Sequence, residues 1–390
     1  MKFNDLVIGI PKEIMKEERR VAATPDTVAK MVKEGAVVLV EEGAGIGSLF
    51  LDEDYKKQGA QIIKDACEIY SKADMILKVK EPQFNQGKDR YEVDMMKKGQ
   101  YIITFLHPAS PGNHDMVRQL AKNNITAFTL DGIPRISRAQ AMDALTSMST
   151  VAGYKSVLIA ANRLAKFMPM MGTAIGMIQP SNVLVIGTGV AGLQAIATAK
   201  RLGAVVYAAD IRPDACEQAK SVGAKVIDIG IPPQAAIGEG GYAKHLTGDW
   251  LKKEKDALKD IVSKVDIIIL SALVPGKVAP VLITEEMVKA MKKGSIIMDV
   301  AIDQGGNCEI TESGYVTEKY GITIDGTKNI PGMLPASSTW MFANNIFNFL
   351  CNLVQNGEIV INQKDEIISS SLVTYKGNIV HSGAREAMKL

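Results

Sequence analysis

Short apolar runs bounded by glycine, proline or charge recur along this chain and alternate with stretches of helical period. The first is LVIGI, ahead of Pro11. Thr24-Pro25-Asp26 is a helix start, and Thr27 to Lys33 the helix that follows. Ala36 to Val40 reads as a strand, Asp52 to Gln58 as a helix, Gln61 to Ile63 as a strand and Ala66 to Ser71 as a helix. Met75 to Val79, Tyr101 to Phe105 and Thr126 to Thr129 are further strands, with a helix at Asp115 to Lys122. Ser137 to Phe167 is helix-compatible and free of proline, so a long helix or helix pair is expected there. The alternation resumes with strands at Val183 to Ile186, Val205 to Ala209, Lys225 to Asp228, Val265 to Leu270, Ser295 to Val300 and Ile322 to Ile324. Helices are predicted at Leu193 to Leu202, Asp214 to Ser221, Leu251 to Val262, Thr284 to Met291 and Trp340 to Val354. The last 35 residues read as polar, β-like segments.

Strands that alternate with helices predict an α/β fold of two Rossmann-like, doubly wound parallel sheets. The length of 390 residues fits two domains. The second half ends near residue 330, and the remainder is expected to return to the first. The expected division is 1–145 plus 332–390 for a discontinuous N-terminal domain and 146–331 for the second, with a cleft between them at the strand ends.

The densest motif is VLVIGTGVAGLQAIATAKRLGAVVYAADIR. Gly187, Gly189 and Gly192 complete G-x-G-x-x-G between a strand and a helix. The first glycine allows the sharp turn, the second lets a pyrophosphate approach the backbone, and the third lets the helix pack on the strand. The free N–H groups and the positive end of the helix dipole then face the phosphates. Asp210 lies 23 residues after Gly187, at the end of the next strand, where a carboxylate can bond the ribose hydroxyls of a dinucleotide. It would repel a 2′-phosphate, which favours NAD over NADP, although Arg212 is near.

Composition removes other classes. A net charge of +2 gives no electrostatic case for nucleic acid. The richest apolar stretch, Val265 to Ile283, is cut by Asp266 and Lys277, so direct membrane insertion is not expected. Four scattered cysteines without C-x-x-C read as reduced cytosolic thiols, and no Cys/His spacing suggests a metal.

The segments PRISRAQAMDALTSMSTVAGY, GTGVAGLQAIATAKRLGAVVYAADIRP, GGYAKHLTGDWLKKEK, LVPGKVAPVLITEEMV and GGNCEITESGYV resemble the alanine dehydrogenase/NAD(P) transhydrogenase family over nearly the whole chain. The resemblance is greatest to the NAD-binding alpha subunit (domain I) of proton-translocating transhydrogenase. It implies NAD as cofactor, with Arg135, Gln140, Ala141, Met142 and Asp143 beside the nicotinamide. It also implies Val190, Asp210, Ile211, Arg212, Gly241 and Leu273 at the adenosine, phosphates and ribose. One family contact, a Gln in the helix after GGYAK, is Glu254 here and is not carried over. The implied activity is hydride transfer from NADH on this chain to NADP⁺ on a partner subunit, coupled to proton movement, with positioning as the catalytic device. Membrane-embedded and NADP-binding subunits are the implied partners, and a homodimer the implied assembly. The implied location is cytoplasmic, or peripheral at the inner face of the cell membrane through those subunits.

Four positions match the other branch of the family. Alanine dehydrogenases bind alanine or pyruvate with an Arg, a Lys, a His and an Asp, and Arg20, Lys80, His107 and Asp303 stand in the corresponding motifs. Arg20 would hold the substrate carboxylate, Lys80 polarise the keto oxygen, His107 move protons, and Asp303 orient the attacking water or amine. The intact RISRAQxxD segment favours the transhydrogenase subunit. An NAD-dependent dehydrogenase of alanine or another small amino acid, for which the family implies a hexamer, is the alternative.

Overall fold

The structure is a computed structural model that describes every residue except 239–242, 245, 247 and 275–277. In chain order, the strands of its two large sheets are β1 (Val7–Ile10), β2 (Val37–Glu41), β3 (Gln61–Ile63), β4 (Met75–Leu77), β5 (Tyr101–Thr104), β6 (Thr126–Thr129), β7 (Asn182–Ile186), β8 (Val205–Ala209), β9 (Lys225–Val226), β10 (Ile267–Leu270), β11 (Ile296–Asp299), β12 (Val316–Lys319), β13 (Ile322–Asp325), β14 (Leu372–Tyr375) and β15 (Asn378–Ile379). Four helices matter below: α1 (Ala144–Arg163), α2 (Val190–Arg201), α3 (Gly248–Val262) and α4 (Pro335–Leu353).

The chain divides into two compact units, Met1–Met148 with Gly332–Leu390, and Ser149–Pro331. The sheet of the first has the order β15-β14-β6-β5-β4-β1-β2-β3. Its strands from β1 to β6 are parallel, and β14 and β15 are antiparallel additions at one edge. The sheet of the second has the order β9-β8-β7-β10-β11-β13-β12, parallel except for β12. Sequence-distant neighbours such as β7 and β10 follow from helical crossovers, as the doubly wound α/β class requires.

The strands read as unbroken apolar runs because helices cover both faces. In the second sheet Val183, Val185, Ile267, Ile269, Ile296 and Met298 pack to one side, while Leu184, Ile186, Ile268, Leu270 and Ile297 pack to the other. This is the period-two alternation of a strand with two interior faces.

Two expectations need correction. Ser137–Phe167, expected as a long helix or a helix pair, holds a 3₁₀ turn, Ser137–Met142, and then one long helix, α1, which starts at Ala144 and ends at Arg163, short of Phe167. The Asp143 carboxylate accepts the Thr146 N–H at 2.8 Å and the Thr146 hydroxyl at 2.6 Å, which caps α1 and stops it from extending backwards. The C-terminal segment is not purely β-like. It holds short helices at Glu366–Ser371 and Ser382–Met388, whose first turns are capped by Asp365 and by the His381 ring.

Candidate functional site

In the second unit β7 ends at Ile186, and the chain turns into α2 through the three glycines. Gly187 has φ +83°, and a Cβ there would lie 2.6 Å from the Ala272 nitrogen. A Cβ on Gly192 would lie 1.9 Å from the Gly187 carbonyl oxygen, so only glycine permits this crossing of strand and helix. Gly189 is different, because a Cβ there meets nothing within 4 Å. It is the N-cap of α2 and supplies no side-chain cap. No side chain therefore caps the first turn, which begins at half-buried Val190.

Asp210 follows β8 and is 9% exposed. Its carboxylate accepts the Thr188 N–H at 2.7 Å and the Thr188 hydroxyl at 3.2 Å. From Arg212 it accepts the backbone N–H at 2.9 Å, Nε at 3.0 Å and Nη2 at 2.9 Å. The acid is therefore tied to the glycine-rich turn on one side and to a guanidinium on the other. The Arg212 guanidinium is held in its charged form by those hydrogen bonds, against the opposing effect of burial. Ile211 packs with the cluster on this face of the sheet. Leu273, 38% exposed, follows β10, and exposed Asp303 lies on the 3₁₀ turn after β11. Glycine-rich turn, Asp210, Leu273 and Asp303 thus stand at the carboxyl ends of parallel strands, where open α/β sheets bind ligands. Gly241 lies outside the described residues.

Asn307 was not anticipated. Its side chain accepts the Ala272 N–H at 3.0 Å and donates to the carbonyls of Ala272 and Pro280 at 2.9 and 2.8 Å, fastening the loop after β10. Its own N–H, with that of Cys308, is held by buried Asp299. An Asn directly after a Gly-Gly turn is the only sequence signal for this.

In the first unit Arg20, Lys80 and His107 follow β1, β4 and β5. Arg20 is 3% exposed; its Nε and Nη2 bond Glu18 at 2.8 and 2.5 Å, and its Nη1 lies 3.0 Å from the Met148 sulfur. Burial pushes the Glu18 carboxyl up, but the hydrogen bonds and charge of Arg20 outweigh it and hold it down at about 2. Lys80 is half-buried, and its carbonyl accepts the Thr104 hydroxyl.

His107 sits at φ +44°. Its backbone N–H donates to Asp131 at 2.7 Å and its Nδ1 lies 2.9 Å from the same carboxylate. The ring stacks on Phe105 with centroids 5.8 Å apart. The Asp131 charge raises the His107 pKa, with burial opposing. This arrangement puts the proton on Nδ1 and leaves Nε2 without a partner among the described residues. Lys78, fully buried between Glu13 at 3.4 Å and Glu92 at 2.9 Å, is an unanticipated neighbour of this edge.

The turn from Arg135 to Asp143 also belongs to the first unit. Arg135, Gln140 and Ala141 are exposed, while Met142 packs against the core. The Ala141 carbonyl accepts from Asn345 at 2.9 Å and Asn348 at 3.3 Å, both on α4. Arg138 makes two bonds, of 3.0 and 2.8 Å, to Asp365. The turn is thus anchored by the C-terminal segment.

Among the described residues no group of three or more His, Cys, Asp or Glu could hold a metal, and no helix is long and apolar enough to cross a membrane. A parallel sheet with a glycine-rich strand-to-helix turn, an uncapped helix end and an acid after the next strand defines a Rossmann-like protein of the nicotinamide-nucleotide-dependent class. The alanine dehydrogenase/PNT family models match residues 9–152 with their N-terminal domain and 156–382 with their C-terminal domain, and the chain belongs to that family. It is 44% identical over 378 residues to the first portion of the NAD(P) transhydrogenase subunit alpha of Rhodospirillum rubrum, covering 96% of this chain and 97% of that one. It is 32% identical to the alanine dehydrogenase of Staphylococcus saprophyticus, covering 99% and 97%. The crystal structure of transhydrogenase from Sinorhizobium meliloti superposes with a TM-score of 0.82 at 36% identity, over 96% of this chain and 99% of that one.

Proposed function

We propose that this chain is the NAD(H)-binding alpha subunit of a proton-translocating NAD(P) transhydrogenase. NAD(H) fits the second unit: Gly189 leaves room at an uncapped helix end for a pyrophosphate, and Asp210 offers a carboxylate to the ribose. Bound there, it supplies the hydride. The protein's role is to hold and orient. The first turn of α2 binds the phosphates, Asp210 with Thr188 and Arg212 sets the ribose position, and Asp210 disfavours a 2′-phosphate. Arg135, Gln140 and Asp143 orient the nicotinamide amide, with Ala141 and Met142 in the same turn. No side chain need donate or accept a proton in the transfer itself, because hydride alone moves to NADP⁺ on a partner subunit.

The anchored 135–143 turn carries this reading. A solvated turn would need no hydrogen bonds from Asn345 and Asn348 and no Arg138–Asp365 pair to fix its backbone. The greater identity to the transhydrogenase alpha subunit than to the alanine dehydrogenase supports it. Mixing the chain with an NADP(H)-binding transhydrogenase subunit is expected to give nucleotide-to-nucleotide hydride transfer. Absence of transfer, with alanine-dependent NADH formation by the chain alone, would reverse the assignment.

That second reading, an amino-acid dehydrogenase, is favoured by the His107–Asp131 pair with its open Nε2. Lys80, in the same unit, would join it. Arg20 would have to receive a substrate carboxylate while Glu18 already fills its Nε–Nη2 edge.

The partners of the main reading are NADP-binding and membrane-embedded subunits, which would place the chain at the inner face of the cell membrane, and a second copy of itself. An exposed hairpin, Met171–Thr173 and Gly176–Ile178, supports self-association, because Ile175 and Met177 on it are 99% and 63% exposed.

A further inference from the structure

Helix α3 turns an apolar stripe toward the second sheet. Leu258, Ile261 and Val262, with Leu251 packed beside them, share a cluster with Ala209 and Ile211, the residues on either side of Asp210. A step of three from Leu251 and four to Leu258 places residue 254 on the same stripe. The residue there is a glutamate, 6% exposed, and no hydrogen bond reaches its carboxyl among the described residues. Ionised, it would be an unpaired carboxylate on a core-facing stripe, which proteins avoid by taking up a proton. Burial is the main cause that pushes the Glu254 carboxyl up to about 7, and the charge of Asp210 adds to it. Lys255, on the same helix, pulls weakly the other way. Among the described residues, the charged groups about Glu254 are thus Asp210, itself paired to Arg212, and Lys255.

We propose that Glu254 is a proton-linked specificity residue of the nucleotide site: the dinucleotide binds while Glu254 is a neutral acid, and the ionised form opposes it. This rests on the reading that a nicotinamide dinucleotide lies at the glycine-rich turn. A neutral carboxyl adds no charge beside Asp210 and can donate a hydrogen bond from its O–H. The carboxylate adds a second negative charge to that of Asp210, against an anionic dinucleotide. Binding above neutral pH therefore takes up one proton from solvent, at Glu254, for each nucleotide bound.

Calorimetry of NADH binding to the full chain tests this, between about pH 6 and pH 8.5 and in two buffers of different ionisation enthalpy. The wild type is expected to bind roughly tenfold more weakly at the upper pH and to take up close to one proton there. Glu254→Gln, an isostere that cannot ionise, is expected to bind with an affinity that does not change with pH and without proton uptake. Glu254→Leu, which completes the apolar stripe, checks that this flatness is not a folding defect. A wild-type affinity independent of pH, or a slope that survives in Glu254→Gln, overturns the proposal while leaving the nucleotide site standing. No heat with NADH for any form at any pH overturns the nucleotide reading itself, and this inference with it.

Discussion

At the scale of single residues, charge pairing separates the two readings of the family. Asp210, at the carboxyl end of β8, is engaged by five donors from Thr188 and Arg212. Asp210→Ala removes the hydroxyl acceptor and releases Arg212 toward a 2′-phosphate. We expect NADH to bind roughly 10- to 100-fold more weakly and the preference over NADPH to narrow, as when a polar partner is lost from a built site. An unchanged NADH/NADPH affinity ratio would remove Asp210 from its role. His107 gives the second prediction at this scale. Its folded pKa is raised by Asp131, so the stability that the pair contributes is present below the unfolded value of about 6.5 and is lost as pH rises through the folded value. An NMR titration should find the His107 pKa lower in Asp131→Asn than in wild type. His107→Ala should abolish any amino-acid oxidation and leave hydride transfer between nucleotides nearly unchanged. Loss of that transfer in the variant would give His107 a role that the subunit reading does not.

At the scale of elements, the glycine-rich turn separates fold from binding. Gly192→Ala forces a Cβ into the Gly187 carbonyl and should cost about 3 kcal/mol or more, visible as a lowered unfolding midpoint. Gly189→Ala meets only open space, so its stability should stay within about 1 kcal/mol of wild type. Its NADH affinity should nevertheless fall by roughly tenfold or more, because the added methyl occupies the approach to the helix end. Undiminished affinity in Gly189→Ala would mean that the phosphates lie elsewhere. This turn was legible in the sequence because its information is local: an apolar run, three glycines at fixed spacing, a helix and an acid. The parallel strands were legible for a related reason, since burial on both faces leaves continuous apolar runs. The break at Asp143 was not. Its carboxylate caps α1 while the Ala141 carbonyl is taken by Asn345, far away in the chain, and no local pattern records that choice. The same holds for the short C-terminal helices, whose polar residues match no helical stripe long enough to read. Lys78, between Glu13 and Glu92, sits in an apolar run that marked it only as the end of a strand.

At the scale of the whole chain, each of the two units buries one carboxyl in an environment that raises it to about 7. In the first it is Glu13, where burial outweighs the attraction of Lys78, and in the second Glu254. A raised folded pKa means that the native state holds a proton that the unfolded chain releases. Between the unfolded value of about 4.5 and the folded value of about 7, stability therefore falls as pH rises, and above 7 this contribution is constant. Glu18 has the opposite shift, but its stabilisation is lost only as pH falls from about 4.5 toward 2, outside this window. His107 adds to the fall near neutrality, while His381, lowered by burial, opposes it below about 6.5. Urea unfolding at about pH 5 and pH 7.5 should thus show lower stability at the higher pH, by on the order of 1–3 kcal/mol for each buried acid. Glu13→Gln should reduce the slope reported by probes in the first unit, where Glu41, also raised by burial, leaves a remainder, and Glu254→Gln that in the second, where Asp299 does the same. Glu13 also accepts the Val79 N–H at 2.6 Å. Its amide variant keeps an acceptor there and, like the protonated wild-type carboxyl, carries no charge at pH 5, so its stability should be close to wild type at pH 5 and higher than wild type at pH 7.5. If the slope of Glu13→Gln ran parallel to that of the wild type, the proton in the first unit would reside on another group, with Glu41, whose carboxyl burial also pushes up, the first to examine.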